Sequence, residues 1–457
     1  MTENEIKDIP KSVFIRSFLS IILGTMLLRA AAEAMGVNIQ FYLNQIHDAA
    51  IHPNSPLRSI VGANHVYPVS YTVGAFIIAS FFITELTGSL FFGSLSDRFG
   101  RKLFIVLGPL LGAIAVQITA MTTIIWLLVF TRLLEGLSTA TNAPATLGYI
   151  AEYSSHSEKF RTRIVGFFEI ATIGGGALGF MLGGWLWHLF GYPKVIQGIT
   201  LTSVAFSVNA VIYLASLVIY WVGVYERRKA HPKQGDSPSG KETLKKYWQI
   251  VKTPRVASFA PAWIAINGVQ GVLLILTARV LTDQSKRSQQ LLSGHFNSVQ
   301  AGYILAGLAV TFVIGILLWS FLAGNLKKIK AMMIGNGGLF VACIALFAIN
   351  HQPSLNSPLI LPFAILLILS VMVLSGFTPS ALAHLANITE FHKTDRGAIM
   401  GLYSIFLGVG QLLGAGVGGP LVDWLAADGM ILAIALFGLM STVFLLLMWR
   451  VEKKAVD

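Results

Sequence analysis

Ionisable side chains stand inside stretches of sequence that are otherwise apolar, among them Arg29, Glu33, Glu85, Arg132, Glu135, Glu169 and Arg279. Moving a charge from water to the middle of a bilayer costs on the order of 3 kcal/mol or more, so charges in such places mark sites. Arg29 and Glu33 are four residues apart and Arg132 and Glu135 three apart, which puts each pair on one face of a helix. The first half of the chain carries four such acids against two bases, so at least two carboxylates lack a full partner. Desolvation favours the protonated form of a buried acid, the property that a proton carrier needs. Glu33, Glu85, Arg132 and Glu135 are therefore the candidates for proton coupling. Glu169 ranks below them because it lies near the end of its apolar run, within reach of water. The second half is nearly uncharged in its apolar runs and offers polar groups instead: Asn267 and Gln270 on one helical face, then Thr378 and His384.

The elements that must position these residues are membrane spans. Hydrophobic residues make up 54% of the 457 and charged residues 12%; a soluble domain has about 25% charged. Mean hydropathy is +0.70, more apolar surface than a soluble core hides. The chain breaks into twelve apolar runs, roughly 13–43, 70–95, 103–122, 125–152, 163–190, 199–224, 256–282, 298–323, 331–350, 357–387, 397–425 and 429–450, each of the length a helix needs to cross a bilayer. A β-barrel is excluded by the lack of alternating segments. The polar start and the length of the first run argue against a signal peptide and for a retained first span. One cysteine, Cys343, excludes an internal disulfide and a Cys-based metal site. No metal-ligand cluster, phosphate-binding loop or nucleophile–base arrangement is present, so no metal, no cofactor and no enzyme activity are expected.

The formal charge of +12 is distributed by topology. Of the 33 Lys and Arg, 26 fall in the termini and alternate loops, four on the opposite side and three inside spans. The positive-inside rule then puts both termini in the cytoplasm of a multi-pass protein of the plasma (inner) membrane. No basic face with stacking aromatics is present, so nucleic acid is not an expected partner. The expected partners are the lipid bilayer, a small-molecule substrate and the proton as coupling ion, with the protein acting as a monomer.

Tyr225 to Trp248 is the longest polar stretch and divides the chain into six spans and six spans. The expected domains are an N-terminal bundle over 1–224, a basic linker over 225–255 and a C-terminal bundle over 256–457. The halves repeat. Pro144 pairs with Pro379, Arg161 with Arg396, Gly166 with Gly401, and Gly175, Gly179, Gly183 and Gly184 with Gly410, Gly414, Gly418 and Gly419, all at an offset of 235. A parallel repeat in a two-bundle membrane protein is the architecture of secondary transporters with a central site between two rocking halves. Glycines spaced by four let helix backbones approach closely.

The segment GSLSDRFGRK, Gly93 to Lys102, follows the second span. It resembles the signature loop of the major facilitator superfamily, G-x-L-a-D-r-x-G-R-k, with Gly93, Leu95, Asp97, Arg98, Gly100, Arg101 and Lys102 in register. Span count, linker and repeat extend the resemblance over the whole chain. The fold it implies is all-α and integral to the membrane, with twelve transmembrane helices in two pseudo-symmetric six-helix bundles. Glycines allow the tight turn. Asp97 could accept hydrogen bonds from a helix N-terminus in the other half, steadied by Arg98, Arg101 and Lys102, as a conformational latch worth roughly 1–3 kcal/mol. The counterpart loop, AGNLKKIKAMM, keeps the bases and lacks the acid, so the latch is single.

Two further segments are similar to motifs of the family. TRLLEGLSTA matches the R-x-x-x-G motif of proton-coupled members at Arg132 and Gly136. GGALGFMLGG matches the antiporter motif G-x-x-x-G-P-x-x-G-G at Gly175, Gly179, Gly183 and Gly184, with Phe180 where the family has proline. Spans one, four, seven and ten line the cavity in this family, which adds Arg29, Asn38, Gln40, Asn142 and Tyr149 to Asn267, Gln270, Thr378 and His384 as substrate-binding candidates. The expected function is secondary active transport of small organic solutes by alternating access, as proton-coupled antiport resembling drug efflux. The alternatives are an organic-anion or sugar-type symporter or facilitator using Arg29, and a lipid flippase or membrane-embedded sensor. Paired arginines in spans one and seven would favour the anion reading; an offset of about 243 between span starts maps Arg29 near Val272 rather than Arg279, which counts against it.

Overall fold

The computed structural model describes residues 10–154, 158–226, 252, 254–286, 290–322, 326–390 and 396–456. Most of the linker expected over 225–255 lies outside them. In lipid a backbone must satisfy its own hydrogen bonds, and each apolar run does so as a helix. In chain order these are α1 (Lys11–Ile51), α2 (Tyr71–Phe99), α3 (Arg101–Thr119), α4 (Ile125–Tyr153), α5 (Glu158–Phe190), α6 (Val204–Gly223), α7 (Pro254–Thr282), α8 (Ser298–Leu322), α9 (Lys328–Asn350), α10 (Ile360–Leu374 and Phe377–Glu390), α11 (Arg396–Leu425) and α12 (Ala427–Val456). Eleven spans among the described residues are long and apolar enough to cross a membrane. The exception among the twelve is α4, whose buried face carries Thr131, Arg132, Glu135, Ser138, Thr139, Thr141, Asn142 and Thr146.

Three boundaries depart from the sequence reading. The sixth run starts as a strand. β1 (Lys194–Ile196) and β2 (Ile199–Leu201) pair antiparallel, and α6 begins only at Val204. The two-residue turn Gln197–Gly198 has positive φ at both positions, the geometry that a tight hairpin requires. The tenth run is broken at Ser375–Gly376. There the Trp319 indole occupies the space a side chain on Gly376 would need, 2.2 Å from an added Cβ. The first helix runs on to Ile51, beyond the expected end near 43.

The chain forms two compact units. Unit 1 comprises Met1–Val69, Ile77–Gly235 and Ser298–Ala306; unit 2 comprises Ser70–Phe76, Asp236–Asn297 and Gly307–Asp457. Their internal plans match. In unit 1, α1 packs on α5 and α6, and α3 on α4 and α6; in unit 2, α7 packs on α11 and α12, and α9 on α10 and α12. The paired glycines make these contacts. A Cβ on Gly175 would lie 2.5 Å from the Met26 carbonyl oxygen, and one on Gly410 would lie 2.4 Å from that of Ile264. Gly179 sits likewise against Ala30 and Gly414 against Gly268. These contacts relate α1 to α7 at an offset of 238, which corrects the value of about 243 taken from span starts. Arg29 therefore corresponds to Asn267, and Glu33 to Gly271.

Polar side chains tie the helices where apolar contact alone gives no preference over lipid. The Asn209 amide donates to the Ala31 carbonyl at 3.0 Å and Ser216 to that of Gly24 at 2.8 Å, both joining α6 to α1. In unit 2 the Asn336 amide of α9 donates to Gly438 of α12 at 3.1 Å.

Candidate functional site

The charged interior of unit 1 is assembled by α1, α2, α4 and α6. Arg132 and Glu135 lie one turn apart on α4, 4% and 1% exposed, and form the ion pair that their spacing permits. The Arg132 Nη1 donates to Glu135 Oε2, and the Tyr213 hydroxyl of α6 donates to Oε1 at 3.1 Å. Both oxygens of Glu135 are thus held. The Arg132 guanidinium also stands 5.0 Å from the centre of the Phe81 ring, a cation–π contact. Gly136 allows this approach of α4 to α2, since a Cβ there would meet the Phe81 carbonyl oxygen at 2.2 Å.

Glu33 and Glu85 are placed differently. Both are half-buried. Glu33 lies in the fields of Arg29, Glu135 and Arg132, and Glu85 in those of Arg29, Glu33 and Arg132. Five charges from three helices therefore form one cluster. Arg29 and Glu33 act on each other through space without the direct contact that joins Arg132 to Glu135. Glu169 is exposed.

The loop after α2 forms a second site. Gly100 has φ +102°, a conformation open to glycine, and it lets α3 start at once. Asp97 and Arg98 are exposed. Arg101 pairs with Asp97 at 2.7 Å and with Glu152 of α4 at 3.4 Å. Gly93 faces Pro144, with 3.7 Å between an added Cβ and the proline Cβ. Glu226, just after α6, takes the N–H groups of Arg101 and Lys102 at 2.6 and 3.2 Å. It caps the orphan donors of α3, worth about 1 kcal/mol. Glu226, Glu152 and Tyr213 had no local signal in the sequence, because each acts across a long loop.

The substrate-binding candidates separate by exposure. The Asn142 amide donates to the Ile105 carbonyl at 2.9 Å and ties α4 to α3. Tyr149 donates to the Tyr225 carbonyl at 2.7 Å and stacks on Tyr153 at 4.2 Å. Asn267 donates back to Trp263 at 2.8 Å, and Gln40 to Gly36 at 2.9 Å. Asn38 is fully buried, and among the described residues neither its amide nitrogen nor its oxygen has a partner. Arg29, Thr378 and His384 are half-buried and Gln270 is exposed. The core of unit 2 holds a buried aromatic row. Phe259 stacks on Trp263 at 6.2 Å, Trp263 on Phe377 at 6.3 Å, and the His384 ring lies 5.6 Å from Phe259. Among the described residues no group of three His, Cys, Asp or Glu could hold a metal ion.

Comparison with known proteins follows the same lines. The model of the Major Facilitator Superfamily matches residues 13–284 and 288–457. Multidrug resistance protein 2 of Bacillus subtilis (strain 168) is 23% identical over 358 residues, covering 76% of this chain and 79% of that protein. Multidrug resistance protein 1 of the same organism is 31% identical over 118 residues, 26% of this chain and 30% of that protein. A mutant form of the nucleoside transporter NupG superposes with a TM-score of 0.67 at 15% identity, covering 93% of this chain and 98% of that one. A bacterial homologue of the human lysosomal transporter Spinster, solved inward-facing and unoccupied, also has a TM-score of 0.67, at 14% identity, with coverage of 95% and 96%. At these identities the two structures speak for the fold alone.

Proposed function

This chain belongs to the major facilitator superfamily of membrane transporters, and from that premise we propose that it exports amphipathic organic solutes across a plasma membrane in exchange for protons. The observation that carries the reading is the division among three acids of unit 1. Glu135 has both oxygens engaged by Arg132 and Tyr213, and breaking such a buried pair costs about 3–5 kcal/mol. It is a fixed element. Glu33 and Glu85 share the same field without a direct ion pair among the described residues, so they can exchange protons without dismantling the bundle. In this scheme Glu33 and Glu85 carry the proton, while Arg132 and Glu135 hold the local field constant. The resemblance to two multidrug resistance proteins supports an amphipathic organic substrate. Arg29, Gln270, Thr378 and His384 retain surface with which to orient it.

The charge distribution supports an orientation with the Asp97 loop and both termini in the cytoplasm. We assign the six-span bundles to 1–224 and 256–457, joined by the basic linker 225–255. Asp97, with Gly93, Arg98, Gly100, Arg101 and Lys102, acts as the conformational latch of the cytoplasmic side.

Purified protein in liposomes tests the coupling, with fluorescent lipophilic cations and anions as probes. Antiport predicts uptake driven by an acidic lumen. An organic-anion symporter, favoured by the absence of direct contact between Arg29 and Glu33, would instead be driven by an acidic exterior. Flux that ignores the gradient in both directions, and is unchanged by an uncoupler, removes proton coupling.

A further inference from the structure

The latch proposed at Asp97 lies at the C-terminal end of α2. The opposite end of that helix meets a carboxylate from α11. The first turn of α2 belongs with unit 2, whereas the helix from Ile77 onward belongs with unit 1. What holds that turn within unit 2 is a set of charged residues on α7, the residues just after it, and α11.

Asp423, near the end of α11, accepts the Tyr71 N–H at 2.7 Å through Oδ1. Its Oδ2 accepts the Thr72 N–H at 2.9 Å and the Thr72 hydroxyl at 2.6 Å. Arg279, 1% exposed near the end of α7, donates through Nη1 to the Ser70 carbonyl at 2.8 Å and covers the Tyr71 ring at 4.3 Å. The Tyr71 hydroxyl donates to Asp283 Oδ2 at 2.8 Å, and Asp283 is itself held by the Ser285 N–H at 3.0 Å. Gly419, one turn before Asp423, permits the close approach; a Cβ there would lie 2.8 Å from the Thr72 Cα.

The N-terminus of a helix carries orphan N–H groups and partial positive charge. A carboxylate from a distant helix satisfies two of those donors here, and it does so through charge-assisted bonds. Such a contact holds firmly at hydrogen-bond distance and vanishes when its partners part. Polar bonds at a half-buried position can be exchanged for water, which buried apolar contact cannot match. We propose that Asp423 is a releasable clasp on the first turn of α2, engaged in the conformation described here and released in the alternate state of the transport cycle, with Arg279 and Asp283 positioning the turn for capture. The clasp requires transport by alternating access and is independent of whether the coupling ion is a proton.

The repeat sharpens the point. Gly184, the partner of Gly419, faces the start of α8 in the same manner, with 2.5 Å between an added Cβ and the Ser298 carbonyl oxygen. Ser298–Ala306 belongs with unit 1 as Ser70–Phe76 belongs with unit 2. The side-chain hydrogen bond found there, Trp185 Nε1 to Tyr303 at 3.2 Å, is between neutral groups.

The test reads the conformational equilibrium without substrate or gradient. In a Cys343→Ala background, nitroxides are attached at Phe76→Cys, at the end of the captured segment, and at Leu361→Cys, both exposed positions of unit 2. Distance distributions are measured by pulsed electron paramagnetic resonance on the full chain in lipid nanodiscs. Asp423→Asn should raise the ratio of long to short distances roughly five- to tenfold. Thr72→Val, which removes only the hydroxyl bond, should shift it the same way by less and covers the case in which Asp423→Asn does not fold. Asp428→Asn is the control, since Asp428 binds Asn350 and Gln290 within unit 2 and touches no residue of α2. Distributions for the Asp423 and Thr72 variants that coincide with the parent overturn the clasp, as does an equal shift in the Asp428 control. The distance measurement stands even if every flux assay shows no proton coupling.

Discussion

Unit 1 and unit 2 share a backbone plan and differ in what fills it. At matched positions of α1 and α7, Arg29 stands opposite Asn267 and Glu33 opposite Gly271, while the same glycine contacts hold both helix pairs together. One interior is a charged cluster; the other is a stack of Phe259, Trp263 and Phe377. Glycine spacing determines how near two backbones come, and it says little about the chemistry of the flanking side chains. A repeated scaffold can therefore carry different work in its two halves.

The largest expected effect tests the shared scaffold. Gly179→Leu and Gly414→Leu would each drive a side chain into a backbone carbonyl, with 2.6 and 2.2 Å already available to the Cβ alone. Overpacking against backbone costs about 3 kcal/mol or more, so both variants should lose the monodisperse peak on size exclusion. Loss in one and not in the other would break the equivalence of the two plans.

Next come the charges that only unit 1 has. Glu33→Gln and Glu85→Gln should each cut gradient-driven flux by about tenfold or more while leaving thermal stability close to the parent. Glu135→Gln should do the reverse to stability, lowering the melting temperature because Arg132 is left buried without its anion. Equal stability loss in all three variants would contradict the division into fixed and titrating acids.

The aromatic row supplies the matching test in unit 2. Trp263→Ala should destabilise the fold by about 3–5 kcal/mol, read as a fall in melting temperature. Trp263→Phe should retain most of that stability, with a melting temperature close to the parent's. The smallest effect is expected at the loop. Glu226→Gln keeps the shape and removes the charge at the start of α3, costing about 0.5–1 kcal/mol. Its signature is faster hydrogen exchange at Arg101 and Lys102, with exchange deeper in α3 unchanged.

Much of the fold was legible because lipid imposes a simple rule: about twenty apolar residues, all helical. The runs around α3, α4, α8 and α9 were found within a few residues of their ends. The pairing of Arg132 with Glu135 followed from helical spacing. The strand Ile199–Leu201 was absorbed into a helix because its apolar residues have the same hydropathy in either form, and only the turn at Gln197–Gly198 separates them. The break in α10 depends on Trp319, which lies on another helix.

By itself the sequence determined the number of apolar runs, the repeat, and which charges enter those runs, because each of these is a property of neighbouring residues or of a fixed offset. Only the tertiary structure decided that Glu135 is bound while Glu33 and Glu85 have no direct ion pair among the described residues, that Glu226 caps α3, and that Asp423 holds the first turn of α2. The physical reason is common to all three. A carboxylate takes its role from the donors within about 3 Å of it, and in each case those donors come wholly or partly from distant stretches of chain.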